Sequence, residues 1–237
     1  MINDIYINGT SLNHAYGVIV SGGGAFNSAT RDTNEVEVLG TRGKIMVDNG
    51  RWLPCALEYD CGVVGQSGMD GIRAFMASLG GSEFTVADTY HPDEHYLCTL
   101  NGGFSVTPAV NNKLFKFKLA FTRRPQRYLA EISDRGTVAA GGTVTVHNRT
   151  LFPMPIMFRL TSSSTSATVT ATNSAGTWEM TAPGMFNSDT WTAVDGSGIF
   201  IPVNSIVSGE PYFQPGTTRL TFSAAANYSF TGKPYTM

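Results

Sequence analysis

Two histidines four residues apart, His91 and His95, with Asp93 and Glu94 between them, are the most metal-like set in this chain. Imidazoles at i and i+4 on a helix would face one way and could hold zinc. Here Pro92 interrupts the spacing and the order His-Glu-x-x-His is absent, so the segment, with Asp88 and Tyr90 before it, reads as a turn between strands. His14 and His147 lie in strand-like runs and read as packed or half-exposed histidines. Gly65-Gln-Ser-Gly68 begins like the turn that presents a nucleophilic serine, but Met69 stands where the second glycine is needed. Cys55, Cys61 and Cys98 are an odd, sparse set, and five residues separate the first two, wider than a zinc knuckle; they read as free thiols. No carboxylate pair stands apart from the turn and surface acids. The sequence therefore predicts no catalytic, cofactor-binding or metal residue, and no enzyme.

Two further groups could bind rather than react. Arg123, Arg124 and Arg127 beside Tyr128 could track a phosphate backbone and stack a base, but they also fit a solvated hinge at a domain edge. The formal net charge of −2 and pI near 6.1 exclude a field that gathers nucleic acid or anionic membrane, so no specific nucleic-acid recognition is expected. Trp178, Trp191 and Tyr212, with Phe213 and Tyr228, could offer flat rings to the apolar face of a sugar. Equally, a sandwich core needs large inward residues at alternating positions. Met1-Ile-Asn-Asp-Ile-Tyr6 lacks the basic start and apolar run of a secretory signal, and no window reaches the ~20 apolar residues that span a bilayer, so neither export nor membrane insertion is expected.

The elements that would position these groups are nearly all strands. Ile2–Ile7 reads as a first strand, Asn8-Gly9 as a turn, and Leu12–Val20 as a second strand. The glycines after Ser21 open a surface loop that continues through Asp32. Strands at Val36–Leu39, Lys44–Val47 and Trp52–Tyr59 follow, with a type I′ hairpin at Asn49-Gly50. One helix is expected over about 67–80. Ser67 is its N-cap, Asp70 faces its positive end, Met69, Ile72, Phe75, Met76 and Leu79 form its apolar face, and Gly80-Gly81 is its stop. Such a helix needs a packing surface, here a sheet made by its neighbours. Tyr96–Val106 reads as one long strand bent at Asn101-Gly102-Gly103. In Lys113–Thr122, Phe115, Phe117, Leu119 and Phe121 share one face and Lys116 and Lys118 the other, as in an antiparallel strand with one wet side.

Arg123–Tyr128 marks a boundary. Residues 129–237 hold only five of the chain's 16 Lys/Arg and six of its 18 Asp/Glu, and are rich in Thr, Ser, Ala and Gly. Short strand-like runs recur there between turn residues, which is the pattern of an all-β sandwich. The expected organisation is mainly β, with residues 1–128 a β-rich domain carrying one helix and residues 129–237 a β-sandwich.

The order of landmarks resembles the distal tail protein (Dit) family of long, non-contractile-tailed phages. The resemblance rests on the Asn8-Gly9 turn, Val38-Leu-Gly-Thr-Arg-Gly43, the strand ending at Tyr59, the helix at Gly68–Leu79, Asp88 to Tyr90 and the Tyr96-rich strand. Phe121-Thr-Arg-Arg-Pro-Gln-Arg-Tyr128 is its most specific piece. Val146-His-Asn-Arg-Thr150 with Pro153 and Pro155 resembles the family's entry to its second domain, with Arg149 in place of glycine. Phe213-Gln-Pro-Gly216 resembles its late turn, with Thr217 in place of Asn. The resemblance implies a virion structural protein of the tail tip, synthesised in the host cytoplasm, whose N-terminal domains form a hexameric ring. The ring would join the tail tube protein to the tail-tip hub protein. A galectin-like or carbohydrate-module-like domain would project outward toward receptor-binding or baseplate proteins. The alternative reading is a carbohydrate-binding adaptor that contacts host-surface glycans through Trp178, Trp191 and Tyr212.

Overall fold

The computed structural model describes residues 3–38, 43–102, 105–111, 113–163, 167–182, 184–188, 192–193 and 206–237. The chain is mainly β and divides into two compact units, Met1–Arg127 and Tyr128–Thr236.

Unit 1 contains β1 (Ile5–Ile7), β2 (Thr10–Ser11), α1 (Leu12–Tyr16), β3 (Val18–Gly23), β4 (Arg31–Glu37), β5 (Lys44–Trp52) and β6 (Cys55–Val64). There follow α2 (Gln66–Ser78), β7 (Phe84–Asp88), β8 (Glu94–Leu100), β9 (Val106–Ala109) and β10 (Leu114–Arg123). The main sheet runs β2-β1-β7-β8-β10-β6-β3, all antiparallel, with β9 sharing the edge of β10 that β8 also uses. Its spine is the ten-residue pairing of β10 with β6, from Leu114↔Val64 to Arg123↔Cys55. Alternation puts Phe115, Phe117, Leu119 and Phe121 in the core with Leu57, Tyr59, Cys61 and Val63, and leaves Lys116 and Lys118 outside.

Helix α2 buries Met69, Ile72 and Met76 in this core, the face that the sequence predicts. Its start differs. Gly65, at φ 82°, is the N-cap, no side chain caps it, and Ser67 lies within the first turn. The chain must turn sharply out of β6, and only glycine reaches that left-handed conformation without strain. A Cβ on Gly68 would stand 2.8 Å from the carbonyl oxygen of Tyr16 and 2.7 Å from a Val63 methyl, so glycine there lets α1 cross α2 closely. Helix α1 itself replaces part of the strand expected at Leu12–Val20 and carries His14. Ser11 caps it by accepting from the His14 amide at 3.0 Å, and Gly17 closes it at φ 70°. The chain thus has a second helix besides the one expected. The expected Tyr96–Val106 strand is two strands, β8 and β9.

In unit 2, β12 (Ile132–Val138), β13 (Thr143–Asn148), β14 (Ile156–Thr161), β15 (Thr168–Asn173) and β16 (Gly176–Thr181) come first; β11 (Arg127–Leu129) spans the boundary before them. Then follow β17 (Gly184–Asn187), β18 (Thr192–Ala193), β19 (Ile206–Ser208), β20 (Gly216–Phe222), β21 (Ala226–Gly232) and β22 (Tyr235–Thr236). Two antiparallel sheets, β12-β21-β14-β17-β18 and β13-β20-β15-β16-β19, enclose one core. Phe158, Phe186 and Phe230 from the first face Val169, Trp178, Met180, Leu220 and Phe222 from the second. The Asn148-Arg-Thr150 segment is an internal clamp. Asn148, 2% exposed, donates to the carbonyls of Phe152 (2.7 Å) and Phe213 (2.9 Å) and accepts from the amide and hydroxyl of Thr150. Arg149 is exposed beside it.

Candidate functional site

The feature of unit 1 that its own core does not explain is the β4–β5 hairpin, which forms a two-stranded sheet by itself. The pairing is Asn34↔Val47, Glu35↔Met46, Val36↔Ile45 and Glu37↔Lys44. Residues opposite one another share a face, and faces alternate along a strand. Val36, Ile45 and Val47 therefore lie on one face, and Glu35, Glu37, Lys44 and Met46 on the other. The apolar trio is exposed by 45%, 50% and 44% respectively. On the polar face, the Lys44 ammonium meets the Glu35 carboxylate at 3.0 Å.

The base of the hairpin is built to hold its direction. Asn49-Gly50, expected as a tight hairpin turn, lies inside β5 as a bulge: the register shifts between Arg31↔Trp52 and Thr33↔Asp48. The pairing of residues 31–37 with 44–52 decides this, because it leaves Asn49-Gly50 as extra residues within a strand. The Asp48 carboxylate accepts from the Gly50 amide at 2.8 Å and pairs with Arg31 at 2.6 Å, and both contacts hold its carboxyl below the usual range. The Arg51 guanidinium, 2.5 Å from Asp32, lowers that carboxyl likewise. Arg31 also lies over the Trp52 ring at 5.0 Å.

A second surface lies on the outer face of the main sheet. Gly62 sits between Ile19 and Lys116 in adjacent strands, and a groove of about 690 Å³ opens over it. Ile19, Leu114 and Thr107 line it together with Lys116, Lys118 and the Asp60 carboxylate. Ile19 is 46% exposed, and Lys118 is paired with Glu58 at 2.9 Å.

The groups weighed from sequence fall elsewhere. Arg123 is fully buried and donates to the backbone carbonyls of Arg124 (3.3 Å), Pro125 (3.2 Å) and Asn27 (2.5 Å), with its guanidinium over the Tyr96 ring. Arg124 grips Glu83 with two nitrogens, at 2.6 and 2.5 Å, and Arg127 also reaches the Asn27 carbonyl. Arg123 and Arg127 thus tie the loop after β3 to the unit, while Arg124 is exposed and spends its charge on Glu83. That loop buries Ala25 and is more than a surface excursion. His91 and His95 are divided between the turn and β8. His91 stands 3.5 Å from the buried Asp88 and lies against the ring of Phe26. Asp88 in turn accepts from the Tyr59 hydroxyl at 2.6 Å; burial first, and this carboxylate next, push the phenol far above its ordinary range. All three cysteines are buried and free, and burial pushes the Cys61 and Cys98 thiols up to about 12. Among the described residues no three His, Cys, Asp or Glu side chains could together hold a metal ion.

Of the aromatics proposed for glycan contact, Trp178 is a core residue, 3% exposed. Its ring packs on Phe158 and Phe213, and its indole nitrogen donates to the Tyr212 carbonyl at 3.1 Å. Alternation along β16 turns Trp178 and Met180 inward together. Tyr212 is half-buried, with its hydroxyl 3.5 Å from the Ser188 carbonyl. Trp191 lies outside the described residues. The hairpin's apolar face, which sequence reasoning did not single out, carried a signal in the alternation of Val36 and of Ile45 and Val47 with charged neighbours.

No protein-family model matches the chain, and no curated protein does. Solved structures do match over its whole length. The Dit protein of phage SPP1, described as a paradigm of the hub adsorption apparatus in phages that infect Gram-positive hosts, is similar at a TM-score of 0.70. The two are 15% identical, with 100% of each chain covered. A chain of the phage p2 baseplate in its activated conformation with strontium is similar at 0.52 and 11% identity, covering 98% of each chain. One from the same baseplate with calcium is similar at 0.52 and 13%, covering 99% of this chain and 98% of that one. Matched from end to end across both units, the polypeptide has the fold of the Dit proteins of phage tails.

Proposed function

We propose that this protein is a structural component of a phage tail tip, a ring-forming hub of six copies. The ring links the tail tube protein to the tail-tip hub protein and carries baseplate or receptor-binding proteins. The observation that carries the reading is the hairpin: a self-contained two-stranded sheet with Val36, Ile45 and Val47 exposed together. An isolated hairpin is marginal in water, and an apolar face on an unpaired sheet is an association surface. A closed ring needs two different complementary patches on each subunit. The hairpin supplies one and the Gly62 groove, with Ile19, Leu114 and the Lys116 charge, supplies the other. They lie toward opposite ends of β6, at Cys55 and Gly62, about 23 Å apart at strand rise. The end-to-end likeness to the SPP1 hub protein and the p2 baseplate chains supports the same role.

Mass photometry over a concentration series tests it. Six copies of 25.4 kDa give a species of about 152 kDa. A chain that stays at one-subunit mass at every concentration, alone and with a matching tail-tube protein, refutes the proposal.

A further inference from the structure

Three Asn-Gly pairs lie on the surface of unit 1: Asn8-Gly9, Asn49-Gly50 and Asn101-Gly102. In this dipeptide an asparagine side chain can react with its own backbone. Glycine has no side chain to shield the amide nitrogen, and its peptide rotates at low cost. The reaction needs two groups free at once. One is the side-chain carbonyl carbon, which is attacked; the other is the next amide nitrogen, which attacks.

The fold treats the three pairs differently. Asn8 is pinned twice by Thr85: its amide donates to the Thr85 carbonyl at 2.8 Å, and its side-chain oxygen accepts from the Thr85 amide at 2.9 Å. Asn49 is engaged on both reacting sides. Its side-chain oxygen accepts from the Asn34 amide group at 3.4 Å, and its side chain is also hydrogen-bonded to Asp32. The Gly50 amide, the would-be nucleophile, donates to the Asp48 carboxylate at 2.8 Å. Asn101 has neither restraint. Its own amide donates to the Ala120 carbonyl at 3.1 Å, just past the end of β8. Among the described residues, the Asn101 side chain and the Gly102 amide make no hydrogen bond. Gly102 turns the chain at φ 79°.

We propose that Asn101-Gly102 is a self-modification site in the folded protein, with water as the only co-reactant. The Gly102 nitrogen loses its proton and attacks the side-chain carbonyl carbon of Asn101. A C–N bond forms, the bond to the side-chain nitrogen breaks, and ammonia leaves with the proton, giving a cyclic imide. Water then opens either carbonyl of the ring, to aspartate or to isoaspartate. Each product carries one more negative charge than asparagine at neutral pH. Isoaspartate also lengthens the main chain by one carbon. The extra carbon enters between the segments of β10 that pair with β8, at Phe121–Arg123, and with β9, at Leu114–Phe117. The proposal does not depend on ring assembly.

Peptide mapping by mass spectrometry tests it on full-length protein incubated natively and in urea, with isoaspartate read separately from aspartate. Conversion adds about 1 Da to the peptide that holds the site. In the native protein Asn101 is expected to convert at least about fivefold faster than Asn8 or Asn49, the factor set by one hydrogen bond that must break first. In urea the three rates should converge, because the dipeptide is the same. Conversion at Asn101 should quicken as pH rises, since the attacking nitrogen must lose its proton. Asp48→Ala frees the Gly50 amide and should speed Asn49 alone. Asn101→Gln, at an exposed position, should abolish the acidic species that ion exchange separates from the aged parent. Equal native rates at the three pairs overturn the proposal, and so does an Asn101 that converts in urea but not in the fold. Aspartate without isoaspartate overturns the cyclic route. An Asn49 rate unmoved by Asp48→Ala overturns the protective role of the Gly50 bond.

Discussion

Replacing Val36 and Ile45 with serine should dissolve the assembly without unfolding the subunit. The two residues pair across the hairpin and are exposed by 45% and 50%. Full burial of a Val or Ile side chain stabilises by about 1.5–3 kcal/mol, so closing the exposed half of each is worth about 1 kcal/mol. With Val47, 44% exposed, the face contributes about 3 kcal/mol per interface. Removing two of the three costs about 2 kcal/mol, a factor of about 30 in the dissociation constant of each contact. Every subunit in a closed ring makes that contact twice, so the midpoint concentration for assembly should rise by at least this factor. Mass photometry reads it directly. The isolated subunit loses little, since these side chains touch solvent already, and its melting temperature should stay within about 2 °C. Glu35→Gln on the opposite face is the control, altering the hairpin but not its apolar side. A Val36→Ser/Ile45→Ser protein that assembles at the parent's concentration refutes the assignment of this face; one that melts far lower shows that the face is packed inside the subunit.

The remaining predictions concern the two cores. Asn148→Ala removes two donated and two accepted hydrogen bonds at a buried site and should cost about 2–4 kcal/mol, seen as a thermal midpoint lower by about 10 °C or more; an unchanged melt would dismiss the clamp. Tyr59 has its phenol pKa raised in the folded protein, so the neutral form is favoured there while the unfolded chain ionises near pH 10. Its contribution is complete below pH 10 and falls by up to about 1.4 kcal/mol per pH unit above it. Denaturant titrations from pH 9 to 11 should show a shallower decline for Tyr59→Phe than for the parent, and parallel curves would contradict the sign. With their thiols raised to about 12 and buried, Cys61 and Cys98 should resist iodoacetamide at neutral pH in the native protein and react on unfolding; labelling of either in the native state would show that the core opens.

Period-2 and period-3.6 patterns were legible wherever one face is buried. The phenylalanine strand of β10 and the Met69, Ile72, Met76 face of α2 follow from residue order alone, because the burial that selects them repeats along the element. Helix α1 was legible too, in Ser11 and Gly17, but five residues are too few for periodicity to oppose a strand reading. The Ser67 cap failed for a different reason: a serine one turn ahead of an apolar face is a good cap anywhere, while Gly65 caps here only because β6 needs a left-handed exit. The candidate surfaces were less legible, since an apolar face that awaits another chain has the same alternation as one that faces its own core.

Two Asn-Gly pairs divide what the sequence by itself determined from what tertiary structure decided. Asn8-Gly9, with φ of 49° and 79°, is the two-residue turn between β1 and β2, as the dipeptide alone predicts. Asn49-Gly50 is the same dipeptide between similar runs, yet it is a bulge within β5, because β4 supplies a longer partner and the chain reverses elsewhere. Local chemistry fixes which conformations a residue can reach at low cost. Which one is used depends on partners distant in sequence, as it does for Trp178, whose ring could have served solvent or core until the opposite sheet closed over it.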